Sequence, residues 1–383
     1  MRILEFCLSP AFGGLEINMC DLSRWLTQSG RADVYLGATR GSRIAAELRS
    51  LECPTLFSNR PCGKLPLRSA WRLSRWIERH AIDVVHIHWK FDLPLLALTK
   101  RLCRRPFRLV HTRHMNLPGK KHDPYHAWLY RSLDRLIVVT HYLHRQAVHH
   151  LPMDPRRIVP IHCGVAPGRS IREECLARRC RATGIPLPPR SGFHVGLFGR
   201  ICDYKGQHLL VDAVEMLRAK GKPVHAWIIG EPFDPEYLAA LRQDVARRGL
   251  SDLVHFLGFQ RDPMELMAAF DVVALTTRNE TFGLVLVEAM QVGTAVVGSR
   301  AGGVPEIIDD GETGLLFETW NAADLARALE QLHDDPSFRG RLARAGQRKA
   351  ARSFDRDTQF AKVLDVLEGK TASGATGDIQ RVA

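Results

Sequence analysis

Three things are missing from this 383-residue chain, and each absence excludes a class. No uninterrupted apolar run reaches the ~18 residues that a membrane-spanning helix takes. The first ten residues hold one basic residue and then Glu5, without the basic-then-apolar layout of a signal peptide, so they read as a mature first strand. The nine cysteines (Cys7, Cys20, Cys53, Cys62, Cys103, Cys163, Cys175, Cys180 and Cys202) include no C-x-x-C pair, and their number is odd. That pattern argues against a disulfide framework and for reduced thiols, mostly small core residues. The chain also lacks G-x-G-x-x-G and a P-loop, so neither a dinucleotide fingerprint nor a Walker-type phosphate site is expected.

What is present is ordinary in bulk and uneven in placement. Apolar residues make up 45% and charged residues 25%, which suits a globular chain of two domains or three. The net charge of +13 is carried by the N-terminal half: residues 1–200 hold 33 basic and 14 acidic residues, residues 201–383 hold 21 and 27. Such a basic half fits an anionic partner: membrane headgroups, a phosphorylated acceptor or nucleic acid. No nucleic-acid recognition motif accompanies the charge. Of the 54 basic residues 43 are arginine, so codon usage explains the bias equally well.

Short β-rich runs alternate with amphipathic stretches, a pattern that predicts α/β units with parallel sheets. Strands are expected at 2–7, 34–36, 55–57, 84–88, 109–112, 136–139 and 158–161, then at 194–198, 225–229, 254–257, 272–275 and 295–298. Helices are expected to about Ser29, at 67–80 and 141–149, and in the second half at 207–220, 235–248, 284–290, 322–334 and 337–349. The alternation breaks between Ala166 and Ser191, where a basic stretch, Glu173–Thr183, precedes the stiff Pro186-Leu187-Pro188-Pro189. This divides the chain into an N-terminal domain at 1–165, a linker at 166–190 and a C-terminal domain at 191–353. A helix at 354–370 and a frayed tail at 371–383 follow. In doubly wound units ligands bind beyond the carboxyl ends of the strands, so the expected site is a central cleft faced by those ends.

Several loops at strand ends carry candidate chemistry. Asn279-Glu280-Thr281-Phe282-Gly283-Leu284 follows a strand and opens a helix that contains Glu288. Amides at such a helix start suit a diphosphate, whereas two acids beside it suit hydroxyls of a sugar and a ribose. A helix-start acid and a surface acid would explain Glu280 and Glu288 without a ligand. Gly199-Arg200 through Lys205-Gly206 places two cations in one strand-to-helix loop, suited to a leaving diphosphate or simply exposed to solvent. Gly13-Gly14 precedes a helix, either for phosphate approach or as a tight turn. His114 follows the strand that contains His111, where an imidazole can orient a substrate. Histidine pairs at 86/88, 111/114 and 122/126 show no third ligand at metal spacing, so no metal is expected. The acid pair Asp355 and Asp357 lies outside any strand-to-helix loop and reads as a surface coincidence.

The order and spacing of these loops resemble the retaining glycosyltransferases of family 4 (GT4), which have the GT-B fold of two Rossmann-like domains. The matching features are Gly199-Arg200 with Lys205-Gly206, Glu280 and Glu288 around Phe282-Gly283-Leu284, Gly302-Gly303-Val304-Pro305-Glu306, and Gly311-Glu312-Thr313-Gly314. The N-terminal half is similar more loosely, through Gly13-Gly14-x-Glu16, Asp83-Val84-Val85-His86-x-His88, Thr112-x-His114 and Gly164-Val165. The chain departs from the family where Asn-Gly-Val-Asp is frequent, having Cys163-Gly164-Val165-Ala166, and has Ala295 where proline is frequent. The resemblance implies sugar transfer from a nucleotide sugar with retention and without a required metal or other cofactor. It implies that Arg200 and Lys205 hold the donor diphosphate, and that Glu280 and the Phe282–Leu284 backbone hold the donor sugar and phosphates. Glu288 would take the ribose, Gly13 and Gly14 would approach the diphosphate, and His114 would contact the donor sugar. Thr358–Leu367 would form the helix that crosses back to the first domain.

The stretch Thr112–Lys121 (TRHMNLPGKK) is similar to enzymes of cell-envelope polysaccharide synthesis, lipopolysaccharide included. That implies a glycan or glycolipid acceptor, and a basic N-terminal domain peripheral on the cytoplasmic face of the inner membrane. Two other readings fit the same fold, a nucleotide-sugar epimerase and a binding protein without catalysis. The intact donor loops speak against the second.

Overall fold

The computed structural model describes residues 1–58, 66–168, 192–260 and 263–370. It has two compact units: Met1–Gly164 together with the chain from Asp357 onward, and Val165–Arg356.

The first unit alternates β1 (Arg2–Cys7), α1 (Gly14–Gln28), β2 (Asp33–Ala38), α2 (Arg43–Glu47), β3 (Thr55–Phe57), α3 (Leu67–Arg79) and β4 (Val84–Ile87). It continues with α4 (Leu93–Leu102), β5 (Arg108–Arg113), α5 (Pro124–Arg131), β6 (Arg135–Val138), α6 (His141–His150) and β7 (Ile158–Pro160). The seven strands form one sheet in the order β3-β2-β1-β4-β5-β6-β7, and every pairing is parallel. The order runs outward in both directions from β1 and β4. That reversal is the switch point where doubly wound sheets open a crevice at their carboxyl ends. All four residues of β4 are buried, because helices cover both faces of a parallel sheet and leave no polar side.

The second unit contains β8 (Phe193–Phe198), α7 (Gln207–Ala219), β9 (Val224–Ile229), α8 (Pro235–Arg247), β10 (Val254–Gly258), α9 (Pro263–Met267) and β11 (Val272–Leu275). Then come α10 (Leu284–Gln291), β12 (Ala295–Ser299), α11 (Val304–Ile307), β13 (Leu315–Phe317), α12 (Ala322–Asp334) and α13 (Pro336–Ser353). Its six strands are ordered β10-β9-β8-β11-β12-β13. Val195, Leu197, Ala226, Ile228, Val272, Ala274 and Val297 meet Leu210, Val214, Leu325 and Leu329 of the flanking helices in one core. Helix starts are fixed by side-chain caps. Thr140 accepts from the Leu143 amide at 3.1 Å at the head of α6, and Asn321 from the Asp324 amide at 3.0 Å at the head of α12.

The last helix, α14 (Arg356–Leu367), lies with the first unit from Asp357 onward. There Phe360 packs edge-on against Trp25 of α1, with ring centroids 6.0 Å apart. The boundary falls one residue before the expected 165. Val165 donates its amide to the Phe354 carbonyl at 2.9 Å and accepts from the Arg356 amide at 3.1 Å, so it is bonded into the second unit. The basic stretch Glu173–Thr183, the proline-rich segment 186–189 and the tail at 371–383 lie outside the described residues. β13 was not expected. Its three residues follow the Asp310–Gly314 turn and are too few to show a period.

Candidate active site

In the second unit two neighbouring strands, β8 and β11, deliver the candidate loops side by side. Beyond β8, Asp203–Lys205 make one turn of 3-10 helix. Main-chain and side-chain bonds stitch that turn to the segment leaving β11. The Arg278 amide donates to the Tyr204 carbonyl at 3.0 Å, and Thr276 Oγ1 donates to the Lys205 carbonyl at 2.8 Å. With both backbones fixed, Lys205 Nζ donates to Glu280 Oε2 at 2.8 Å across 75 residues of sequence. Glu280 Oε1 accepts from the Thr281 amide at 3.2 Å.

A third loop, after β12, closes on the same acid. The Gly303 amide donates to the Glu280 carbonyl at 2.9 Å. Thus three consecutive strand ends converge on residue 280, and the glycines at 302 and 303 serve that contact.

Gly283 caps α10 with φ +108°. Helix geometry leaves the first amides of α10 without an intrahelical acceptor. Phe282 is buried and meets Phe354 edge-on at 5.7 Å, so only its backbone faces the loop. Glu288 lies one turn after Leu284 on the partly exposed face of α10, between the buried Val287 and Ala289. Arg200 leaves the same strand end, β8. Its guanidinium lies over the exposed Phe233 ring, 5.5 Å from the centroid, while its carbonyl accepts from Gln207 Nε2 at 2.8 Å.

In the first unit, Gly13 has an extended backbone and α1 begins at Gly14. The Gly13 amide donates to Glu16 Oε2 at 2.9 Å. That amide is therefore engaged inside the helix start, where the sequence suggested a phosphate contact.

His114 follows β5, and its Nε2 is buried with no hydrogen-bond partner. Beside it Arg113 is buried, donating from Nε to the Met115 carbonyl at 2.8 Å and from Nη2 to the Asn116 carbonyl at 2.9 Å. These bonds hold the turn that carries His114.

One cluster was missed. Glu5, in the middle of β1, is fully buried between His86 Nδ1 at 3.0 Å and His88 Nε2 at 2.7 Å. Burial alone would raise its pKa, yet the interactions with His86 and His88 and the hydrogen bonds from both rings outweigh burial and hold it at about 2. Burial, then the neighbouring His86, brings His88 down to about 4 against the pull of Glu5. Burial also pushes His111 and His114 well below the ordinary imidazole value. The available signal was an acid inside a run of buried apolar residues. Ligand atoms of Glu5, His86 and His88 lie within 4.8 Å of one another, the third member that the histidine pair lacked in sequence.

Comparison with known proteins places both units. Residues 190–349 match the family described as Glycosyl transferases group 1, and residues 12–169 match Glycosyltransferase Family 4. A D-inositol 3-phosphate glycosyltransferase of Corynebacterium diphtheriae is 30% identical, covering 96% of this chain and 91% of that protein. The lipopolysaccharide core biosynthesis glycosyltransferase LpsE of Rhizobium meliloti is 34% identical over 172 residues, 45% of this chain and 48% of that protein. Among solved structures, Anabaena Alr3699/HepE in complex with UDP-glucose superposes with a TM-score of 0.82 at 25% identity, covering 96% of this chain and all of that one.

Proposed function

The chain belongs to the family 4 glycosyltransferases and is a nucleotide-sugar glycosyltransferase of the GT-B type; on that premise we propose that it works with retention and without a required metal ion, on a glycan or glycolipid of the cell envelope. The observation that carries the reading is the Lys205–Glu280 bond, because it sets one cation and one hydroxyl acceptor together at the start of α10. A cation there neutralises a leaving diphosphate, and the carboxylate accepts from sugar hydroxyls. The amides of Gly283 to Val285 take the phosphates. Glu288 binds the ribose, and Arg200 supplies a second cation by leaving the Phe233 face. In the first unit Gly14 and His114 contact the donor diphosphate and sugar, with Gly13 holding the helix start.

The resemblance to LpsE supports an envelope glycan as acceptor. An anionic cytoplasmic membrane face is the partner that the basic first unit fits. Helix α3 presents the exposed side chains of Leu67 and Trp71 among the exposed Arg68, Arg72 and Arg75. Among the described residues no helix is long and apolar enough to cross a membrane, so this contact would be interfacial.

The test has two stages. A thermal-shift screen of UDP, GDP, ADP and their sugars finds the donor, since a bound donor raises the melting temperature. Turnover of the labelled donor then falls ~100-fold or more in Lys205→Ala and Glu280→Ala. Wild-type rates in both folded variants would overturn the assignment. Formation of an epimer without acceptor would favour the epimerase reading.

A further inference from the structure

Three adjacent strands of the first sheet, β1, β4 and β5, carry side chains that bond to one another. Glu5 of β1 takes one hydrogen bond on each carboxylate oxygen, from His86 Nδ1 (3.0 Å) and from His88 Nε2 (2.7 Å). His86 Nε2 in turn bonds Thr112 Oγ1 of β5 at 2.7 Å. All three side chains of the Glu5 cluster are essentially inaccessible to solvent. A carboxylate buried in this way stays ionised only if N–H groups are aimed at it.

That requirement fixes a proton. A neutral imidazole has one N–H. His88 spends its own on Glu5 from Nε2, so its Nδ1 is a bare acceptor. Nδ1 of His88 is buried and meets no partner, and neither does Nε2 of His114. The two rings lie face to face, with centroids 5.9 Å apart and planes 25° from parallel. His88 also packs against His86, with ring centroids 4.2 Å apart. Two buried nitrogens without partners, one on each of these neighbouring rings, are costly, and both are left open to a ligand hydroxyl.

We propose that Glu5 and His88 are positioning residues for sugar transfer: Glu5 holds His88 in the Nε2–H tautomer, and His88 holds the ring of His114 against the donor sugar. The inference rests on the reading that His114 contacts that sugar. A carboxylate can serve two N–H donors at once, whereas the amide of Gln offers one acceptor and one donor group. With Gln at position 5 only one imidazole keeps its N–H toward that residue, and the other must move its proton to the far nitrogen. A wrong tautomer with intact geometry is the kind of change that lowers kcat more than KM.

The cluster is also a plausible set of metal ligands by composition. The two short bonds argue for protons instead, because each bonded nitrogen already faces a carboxylate oxygen.

Long-range 1H–15N correlations on the full-length protein labelled at histidine read the tautomer directly. The expected result is His88 neutral with its proton on Nε2 between about pH 5.5 and 8, and a displaced proton in Glu5→Gln. Kinetically, Glu5→Gln and His88→Gln should each lose ~10-fold or more in kcat, with the donor KM within about threefold. A proton on Nδ1 of His88 in the wild type, wild-type kcat in either folded variant, or a stoichiometric metal ion in the purified protein would overturn the proposal. Wild-type protein that turns over no nucleotide sugar would instead remove the donor reading, and the ring tautomer would still decide the hold of Glu5 on His88.

Discussion

Gly302 lies so close to Glu280 that a Cβ at residue 302 would stand 1.9 Å from the Glu280 carbonyl oxygen, at a backbone φ of +59°. Both the conformation and the space forbid a side chain, and the neighbour is backbone that cannot swing away. Gly302→Ala should therefore displace the loop that carries Glu280. The expected cost is about 2 kcal/mol in stability, with donor turnover reduced at least as much as in Glu280→Ala. Gly311 is the control, since its φ of +76° is similar but nothing lies within 4 Å of the built Cβ. Gly311→Ala should lose only about 1 kcal/mol and keep turnover. Equal effects in thermal melts and assays of the two variants would refute the contact argument.

The Lys205–Glu280 pair is partly exposed, with side-chain accessibilities of 23% and 18%. Pairs in that setting contribute little to stability. A double-mutant cycle with Lys205→Met and Glu280→Gln should give a coupling below about 1 kcal/mol in urea unfolding. The same variants should cost ~100-fold in turnover. Several kcal/mol of coupling with preserved turnover would make the pair structural.

Helix α3 predicts a membrane contact that depends on salt and on particular residues. Each arginine at an anionic surface adds about 1 kcal/mol, screened by salt. Replacing Arg68 and Arg72 by Gln should weaken sedimentation with phosphatidylglycerol vesicles by about 30-fold, and Trp71→Ala should weaken it further. Binding that is unchanged in these variants, or equal on phosphatidylcholine, would show that α3 is not the contact.

Much of this was legible because parallel strands buried on both faces announce themselves as short apolar runs. Val272–Leu275 was placed to the residue, and Ala322–Asp334 was given by its helical period. Glu280 and Lys205 could be named because a strand end followed by a helix start is where ligands bind. Their bond could not be foreseen, since it depends on how the Tyr204 and Lys205 carbonyls meet the Arg278 amide and the Thr276 hydroxyl. Arg200 shows the limit of loop reading: its long side chain went to the Phe233 face, and nothing in the loop sequence specifies that. Glu5 was passed over because one acid in six strand residues does not break an apolar pattern. Its meaning came only when β1 was paired with β4, which sets Glu5 opposite His86.

The buried imidazoles also predict how stability depends on pH. His88 has its pKa lowered by burial to about 4, and burial likewise takes His111 and His114 well below 6.5. An unfolded chain binds protons at these three residues near pH 6.5, while the folded chain does not. Stability is therefore full above that value and is lost as pH falls from about 6.5 toward 4. For His88 alone, a change from 6.5 to about 4 corresponds to about 3 kcal/mol. Glu5 behaves separately: its folded pKa is depressed from 4.5 to about 2, so its contribution persists until the pH falls below about 4.5. Calorimetric melts should thus show a steep fall between pH 6.5 and 5, before the carboxylates titrate. His111 offers a clean test, because neither of its ring nitrogens has a partner in its fully buried site. His111→Leu removes one proton site, so the slope of unfolding free energy against pH should drop by about 1.4 kcal/mol per pH unit near pH 5.5. An unchanged slope in the folded variant would mean that His111 is charged or solvated in the native protein.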